Sequence, residues 1–76
     1  MKKRTYSIVL EPEEGGGYAV SVPALPGCFT QGMTVEEAMK RAEEAISVHI
    51  AGLEAGGEPV PEEHEPPRLV TVTVAA

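Results

Sequence analysis

The sequence lacks aspartate, asparagine and tryptophan, and it has a single glutamine, Gln31, and a single cysteine, Cys28. One cysteine cannot form an internal disulfide or supply a cysteine-based zinc site, so no covalent framework stabilises the chain. Scarce amides together with abundant glutamate are typical of thermophilic proteins. A GC-rich genome explains the same bias equally well, and both explanations stay open.

Aromatic residues are also scarce, since Tyr6, Tyr18 and Phe29 are the only three. The chain has 76 residues and 42% hydrophobic content, which suffices for the core of one small domain. A domain of this size buries only about 60% of the surface that its unfolded chain exposes. Because disulfides are absent, we expect further stability from self-association, as a dimer or a tetramer.

Basic residues are outnumbered, with 6 Lys and Arg against 12 acids, and the net charge is −6. Nucleic-acid and anionic-membrane binding both depend on Lys and Arg, so the charge disfavours both and instead suits a basic protein partner. The longest apolar runs fall far short of the roughly 20 residues that span a bilayer. We therefore expect a cytoplasmic protein that contacts neither membrane nor DNA.

Alternating apolar residues predict strands over residues 4–11 and 18–23, joined by a glycine-rich turn as a hairpin. A rigid proline turn over 23–27 follows, and residues 28–31 have the pattern of a short third strand. Residues 58–67 carry four prolines and four glutamates, which is typical of an extended linker. Residues 68–74 alternate again and predict a last strand.

The helix is the clearest element, and Thr34 and Glu37 at its start form a capping box. Its end is predicted at Gly56-Gly57. One buried stripe at helical spacing is expected to comprise Val35, Ala38, Met39, Ala42, Ala45, Ile46, Ile50 and Leu53. The order β-β-β-α-β is that of an α+β domain, with an antiparallel sheet packed on one helix.

Candidate enzymatic residues all have a simpler structural interpretation. Cys28 has no recognisable catalytic histidine signature beside it, and free cysteines are usually buried. His49 lies on or beside the apolar stripe and His64 in the acidic linker, without metal-ligand spacing. The loop 15–17 joins two strands and has no lysine, unlike a phosphate-binding loop. These features predict no enzyme, no cofactor and no metal.

The segment Tyr18–Cys28 resembles the Y-x-V-x-x-P-x-L-P-G-C segment of the HicB family. Residues 32–38 are similar to that family's G-x-T-x-E-E-A segment, and residues 42–46 and 57–61 continue the similarity in order. We expect structural roles for the residues that carry these motifs, which are Tyr18, Pro23, Leu25, Pro26, Gly27, Cys28, Gly32, Thr34, Glu37 and Ala38.

The resemblance implies an antitoxin of a type II toxin–antitoxin pair with a partial ribonuclease-H-like fold, formed by one domain over residues 1–76. It also implies a partner, HicA, which is a small basic ribonuclease that cuts mRNA and whose active site the antitoxin covers. Opposite charges favour such a pair. The exposed acids offered as toxin contacts are Glu13, Glu14, Glu36, Glu43 and Glu44.

Many antitoxins of this type carry a second, C-terminal DNA-binding module, and none follows the last predicted strand here. Direct operator binding is therefore not expected. The main alternative is an orphan, oligomeric protein-interaction module without enzymatic activity. A small hydrolase that uses Cys28 or glutamates, and an RNA-binding protein, are the remaining alternatives.

Overall fold

A computed structural model describes residues 3–76. Met1 and Lys2, which begin the expected domain, lie outside the described residues. The three strands are β1 (Val9–Pro12), β2 (Tyr18–Ser21) and β3 (Phe29–Gly32), and the helix α1 covers Val35–Ala55. The sheet is antiparallel with the order β1-β2-β3, so the predicted α+β class and the order of the first four elements are confirmed.

The β1–β2 hairpin pairs Val9 with Ser21 and Pro12 with Tyr18. Its turn is closed by a hydrogen bond of 3.0 Å from the Glu13 amide to the Gly17 carbonyl. Gly17 adopts φ +80°, which a residue with a side chain rarely adopts. Gly16, at φ +98°, shares this requirement, so the backbone geometry of the turn favours glycine at two of its three predicted glycines.

The two N-terminal strands are shorter than predicted, because β2 leaves the sheet at the proline turn. Leu25 donates its amide to the Val22 carbonyl at 2.9 Å, and Cys28 donates to the Leu25 carbonyl at 3.0 Å. Gly27 adopts φ +87° inside this turn. Residues 4–8 continue the line of β1 but have no strand of the described chain beside them, so the ladder begins only at Val9.

The helix begins with the predicted cap, with one change of partner. Thr34 Oγ1 accepts the Glu37 amide at 3.0 Å, as expected. The Glu37 carboxylate reaches back to the Met33 amide, at 2.9 Å, rather than to that of Thr34. At the other end, Gly57 and Glu58 donate their amides to the carbonyls two and three residues before Gly56, which is the Schellman arrangement.

The core consists of two small clusters under α1. Val20, Ala38 and Ala42 form one, and Val22, Leu25 and Cys28 form the other. The predicted helical stripe was too wide, since Val35 is 48% and Met39 58% exposed. The helix packs mainly against β3 and less against β2, so its flank on the β1 side lies over open space.

The linker returns to the start of the chain. Tyr6 Oη donates to the Pro61 carbonyl at 2.6 Å. The Glu63 carboxylate accepts the Ser7 amide at 2.7 Å and the Ser7 hydroxyl at 2.6 Å. These contacts fix residues 61–63 beside residues 6–7.

The last predicted strand forms no ladder within the chain. Residues 68–76, here called the C-terminal tail, are all exposed and have no assigned secondary structure. The radius of gyration, 14.5 Å, exceeds the value expected for a compact chain of this length, about 11 Å. The predicted fourth strand does not form within residues 3–76, because the tail projects away from the sheet instead of joining it.

Candidate protein-interaction surface

A tight contact between β3 and α1 fixes the end of the molecule that carries Glu13, Glu14 and Glu36. A Cβ atom on Gly32 would lie 2.5 Å from the Ala38 nitrogen, so only glycine permits this approach. Gly17 is similarly close to Gly32 and Met33. The hairpin turn, with Glu13 and Glu14, therefore lies beside the start of the helix, with Glu36 in its first turn.

The acids of α1 divide between two flanks of the helix. Glu36 and Glu43 are seven residues apart and point within about 20° of each other, whereas Glu44 points about 100° away from Glu43. Glu43 lines a groove of about 470 Å³ on the β1 side, together with Arg4 and Ile8. This space is here called the β1-side groove.

Glu44 lines a second groove, of about 440 Å³, on the β3 side of the helix. Phe29 at the start of β3 and Val48 on α1 line the same groove and are 70% and 73% exposed. Arg41 and His49 also contribute to its walls. This β3-side groove exposes an aromatic ring and a valine side chain next to an acid. Aromatic residues are enriched in protein–protein interfaces.

All five predicted contact acids are exposed, but the structure does not place them on one surface. Glu13, Glu14 and Glu36 lie at one end, Glu44 on the β3 side and Glu43 on the β1 side. Val48 lies outside the predicted buried stripe, but the exposure of Phe29 was not predicted. Successive side chains of a strand point to opposite faces of the sheet, and only the position of the helix decides which face is covered.

The family-motif residues lie mostly in the interior. Leu25 is 0% exposed and packs with Val22 and Cys28 under the C-terminal half of the helix. Burial raises the pKa of the Cys28 thiol, so it remains protonated at neutral pH and is a poor nucleophile. This finding favours the packing role of Cys28 over the catalytic alternative.

Residues 3–76 contain neither a metal cluster nor a membrane-spanning helix. Within this range no group of three or more histidine, cysteine or acidic side chains is arranged to hold a metal ion. In the same range no helix has both the length and the apolar character to cross a bilayer.

The chain is similar to a known family of bacterial proteins over most of its length. Residues 6–71 match the family described as HicB-like antitoxin of bacterial toxin–antitoxin systems. The chain belongs to this HicB-like antitoxin family. The match covers all three strands, the helix and the linker, so the resemblance carried by the proline turn and the helix start is confirmed.

Relatives differ in how much of their length the chain covers. A UPF0150 protein of Thermoplasma acidophilum is 44% identical over 59 residues, which are 78% of this chain and 86% of that protein. Antitoxin HicB 1 of Photorhabdus laumondii is 48% identical over 46 residues, 60% of this chain but 30% of its own length. Antitoxin HicB of Escherichia coli is 46% identical over 41 residues, 54% of this chain and 30% of that protein. The chain thus corresponds to less than a third of the two named HicB antitoxins.

Proposed function

We propose that the chain is the antitoxin domain of a cytoplasmic toxin–antitoxin pair, and that it binds and sterically inhibits a small basic ribonuclease toxin of the HicA type. The observation that carries this proposal is the family match over residues 6–71. The net charge of −6 supports it, because an acidic surface accelerates association with a basic partner and disfavours acidic ones.

The β3-side groove is the proposed centre of the toxin interface. Phe29 and Val48 offer apolar surface that is exposed in the single chain, and Glu44 stands beside them. Interfaces concentrate their binding energy on a few aromatic or similar anchors surrounded by polar residues. Phe29 would be such an anchor, and the acids at the helix start would extend the contact towards basic residues of the toxin.

The proposed role is occlusion and requires no catalysis by this chain. Buried Cys28 offers no accessible thiolate. A partner that covers the active site of a ribonuclease excludes its RNA substrate simply by occupying the space. Charge opposition then supplies rapid capture, with association rates that fall as ionic strength rises.

Co-expression with a HicA-type toxin tests the proposal. We expect the chain to restore growth of cells that express the toxin and to co-purify with it. The Phe29→Ala variant should bind at least about tenfold more weakly, the scale of an interface hot spot. Met39→Ala is the matched control, since Met39 is 58% exposed but lines the β1-side groove. Growth arrest and no complex with the unaltered chain would contradict the proposal.

A further inference from the structure

The outer edge of β1 and the C-terminal tail are two complementary surfaces that the single chain leaves uncovered. β1 is an edge strand, because the sheet order is β1-β2-β3. An exposed strand edge offers unpaired backbone groups to any extended chain that reaches it. The tail is such a chain, since it alternates apolar residues without pairing to anything in its own domain.

The pattern of hydrogen bonds shows which residues of β1 face outwards. The Glu13 amide bonds to the Gly17 carbonyl, and the register then places Glu11–Ala19 and Val9–Ser21 as further hydrogen-bonded pairs. The backbone groups of Leu10, which lies between these residues, and of Ile8, which precedes β1, therefore point to the open edge.

The contact of Ser7 agrees with this alternation. The Ser7 amide points to the same side of the strand as the Val9 amide, and it donates to the Glu63 carboxylate. Glu63 thus lies where β2 would continue if it had not turned away. The linker thus occupies the inner side of the N-terminal segment. The outer edge of residues 5–11 stays open and ends at Pro12, which has no amide hydrogen to donate.

The tail fits this edge in length and in chemistry. Residues 68–74 and residues 5–11 are both seven residues long. Val70, Val72 and Val74 share one face of an extended chain, and they are 74%, 84% and 73% exposed. The opposite face carries Leu69, Thr71 and Thr73. After Arg68 at its start, the face with the three valines is apolar, as a strand laid against a hydrophobic layer requires.

The β1-side groove is the hydrophobic layer that such a strand would cover. It runs along the helix-facing side of the open edge, and half-buried Tyr6, Ile8, Ile46 and Ile50 line it. Arg4 lines it too, and its Nε atom is buried without a hydrogen-bond partner among the described residues. A neighbouring strand would supply both apolar cover and carbonyl acceptors. The β3-side groove, with Arg41, Glu44 and His49, is less suited to a row of valines.

The path of the linker directs the tail away from its own domain. Residues 62–67 lie along Pro23 and Ala24, on the β2 side of the N-terminal segment. Pro66 and Pro67 hold the chain extended, so it does not fold back around the N-terminus to the outer edge of β1. A second copy, in contrast, can present its tail there without any change in the linker.

We propose that two copies of this chain exchange their C-terminal tails, each tail adding as a strand to the outer edge of β1 of the other copy and covering its β1-side groove with Val70, Val72 and Val74. The arrangement is reciprocal, as twofold symmetry requires, and it covers the outer edge of β1 in both copies at once. It leaves the β3-side groove of each copy open, and it stands independently of the identity of any toxin.

The test compares two double variants of the full chain by sedimentation equilibrium. The unaltered chain should have at least twice the 8.0 kDa chain mass at 200 µM, roughly the concentration needed to reveal weak pairs. Val70→Glu with Val72→Glu should give the chain mass, because two charges would enter the groove. Thr71→Glu with Thr73→Glu adds the same charge to the opposite face and should remain associated. Monomeric unaltered chain, or equal association of the two variants, would overturn the proposal.

Amide hydrogen exchange of the unaltered chain gives a second test that does not depend on any variant. The Ile8 and Leu10 amides should exchange slowly when the chain is associated. Their protection factors should fall at least tenfold on dilution to the monomer. The Val9 amide, which faces β2, is the internal control and should change less. Unprotected Ile8 and Leu10 amides at every concentration would overturn tail exchange even if the chain associates by another surface.

Discussion

A Cβ atom on Gly32 would lie 2.5 Å from the backbone nitrogen of Ala38. This distance makes Gly32 the point where β3 and α1 meet without an intervening side chain. The capping residue Thr34 follows two positions later, so the contact also fixes where the helix begins. The grooves on both sides of α1 depend on this placement.

Replacing Gly32 with alanine should therefore destabilise the domain by about 1–3 kcal/mol, the usual cost of forcing extra volume into a packed contact. Urea unfolding followed by circular dichroism measures the change. Gly52→Ala is the matched control. Gly52 lies in the helix with no atom within 4 Å of its absent Cβ, so alanine there should stabilise by about 0.5–1 kcal/mol. Equal effects of the two substitutions would contradict the close packing.

Leu25 packs the proline turn into the second core cluster. Leu25→Ala should lower the free energy of unfolding by about 2–5 kcal/mol, because it leaves a cavity there. The same urea experiment applies. Val48→Ala, on the exposed side of the helix, should change the free energy of unfolding by less than about 0.5 kcal/mol. A small effect at Leu25 would mean that the turn does not fill the core.

Thiol reactivity tests the interpretation of Cys28. A thiol reagent should modify Cys28 slowly in the folded chain and rapidly in urea, since burial shields the thiol and raises its pKa. A Cys28→Ala, Val48→Cys double variant moves the cysteine to the surface and should react rapidly in both conditions. If the thiols of the two folded proteins were modified at equal rates, Cys28 would be an accessible and reactive cysteine, contrary to this interpretation.

The Ser7–Glu63 contact predicts a pH dependence of stability. The side-chain hydrogen bond from Ser7, and then the backbone one, hold the pKa of Glu63 below its ordinary value. The contact therefore stabilises the fold above the unfolded-state pKa of this carboxyl, and the contribution is lost as the pH falls through the folded-state pKa.

The urea midpoints of the unaltered chain and of Glu63→Gln should consequently differ most at neutral pH and converge on acidification. Ser7→Ala keeps the backbone donor and loses the hydroxyl, so it should show a smaller difference from the unaltered chain. If the difference between the urea midpoints of the unaltered chain and Glu63→Gln stayed constant from neutral to acidic pH, the Ser7 hydrogen bonds would not stabilise the ionised form of Glu63.

Charge reversal of two neighbouring acids of the helix tests which groove the toxin would bind. Glu44→Lys should weaken toxin binding by about tenfold at low salt, with a smaller effect at high salt, because it reverses a charge beside Phe29. Glu43→Lys makes the same change one residue earlier, on the β1 side, and should weaken binding less. A larger effect at Glu43 would move the toxin interface to the β1-side groove.

Local sequence signals predicted the hairpin, the proline turn and the helix with its Thr34 cap, because each depends on residues close together in the chain. The extent of β1 was not predictable in the same way. The alternation of residues 4–8 is that of a strand, but a ladder also needs a neighbour, and β2 turns away at Pro23.

The exposed residues around the candidate surface were harder to predict. Met39 has helical spacing for burial, yet the helix lies over β3 and β2 and leaves that flank uncovered. The tail has the pattern of a strand, but a pattern does not say which chain supplies its neighbour. The whole fold determines how the helix lies over the sheet and which chain could pair with the tail. Local periodicity carries no information on either.

The most direct measurement of the central claim is a titration of a HicA-type ribonuclease with this purified chain, with RNA cleavage as the readout. We expect cleavage to fall to the background as the chain approaches stoichiometric amounts. Phe29→Ala should shift the titration to higher concentrations, and Met39→Ala should not. Undiminished cleavage at a large excess of folded chain would contradict the antitoxin role.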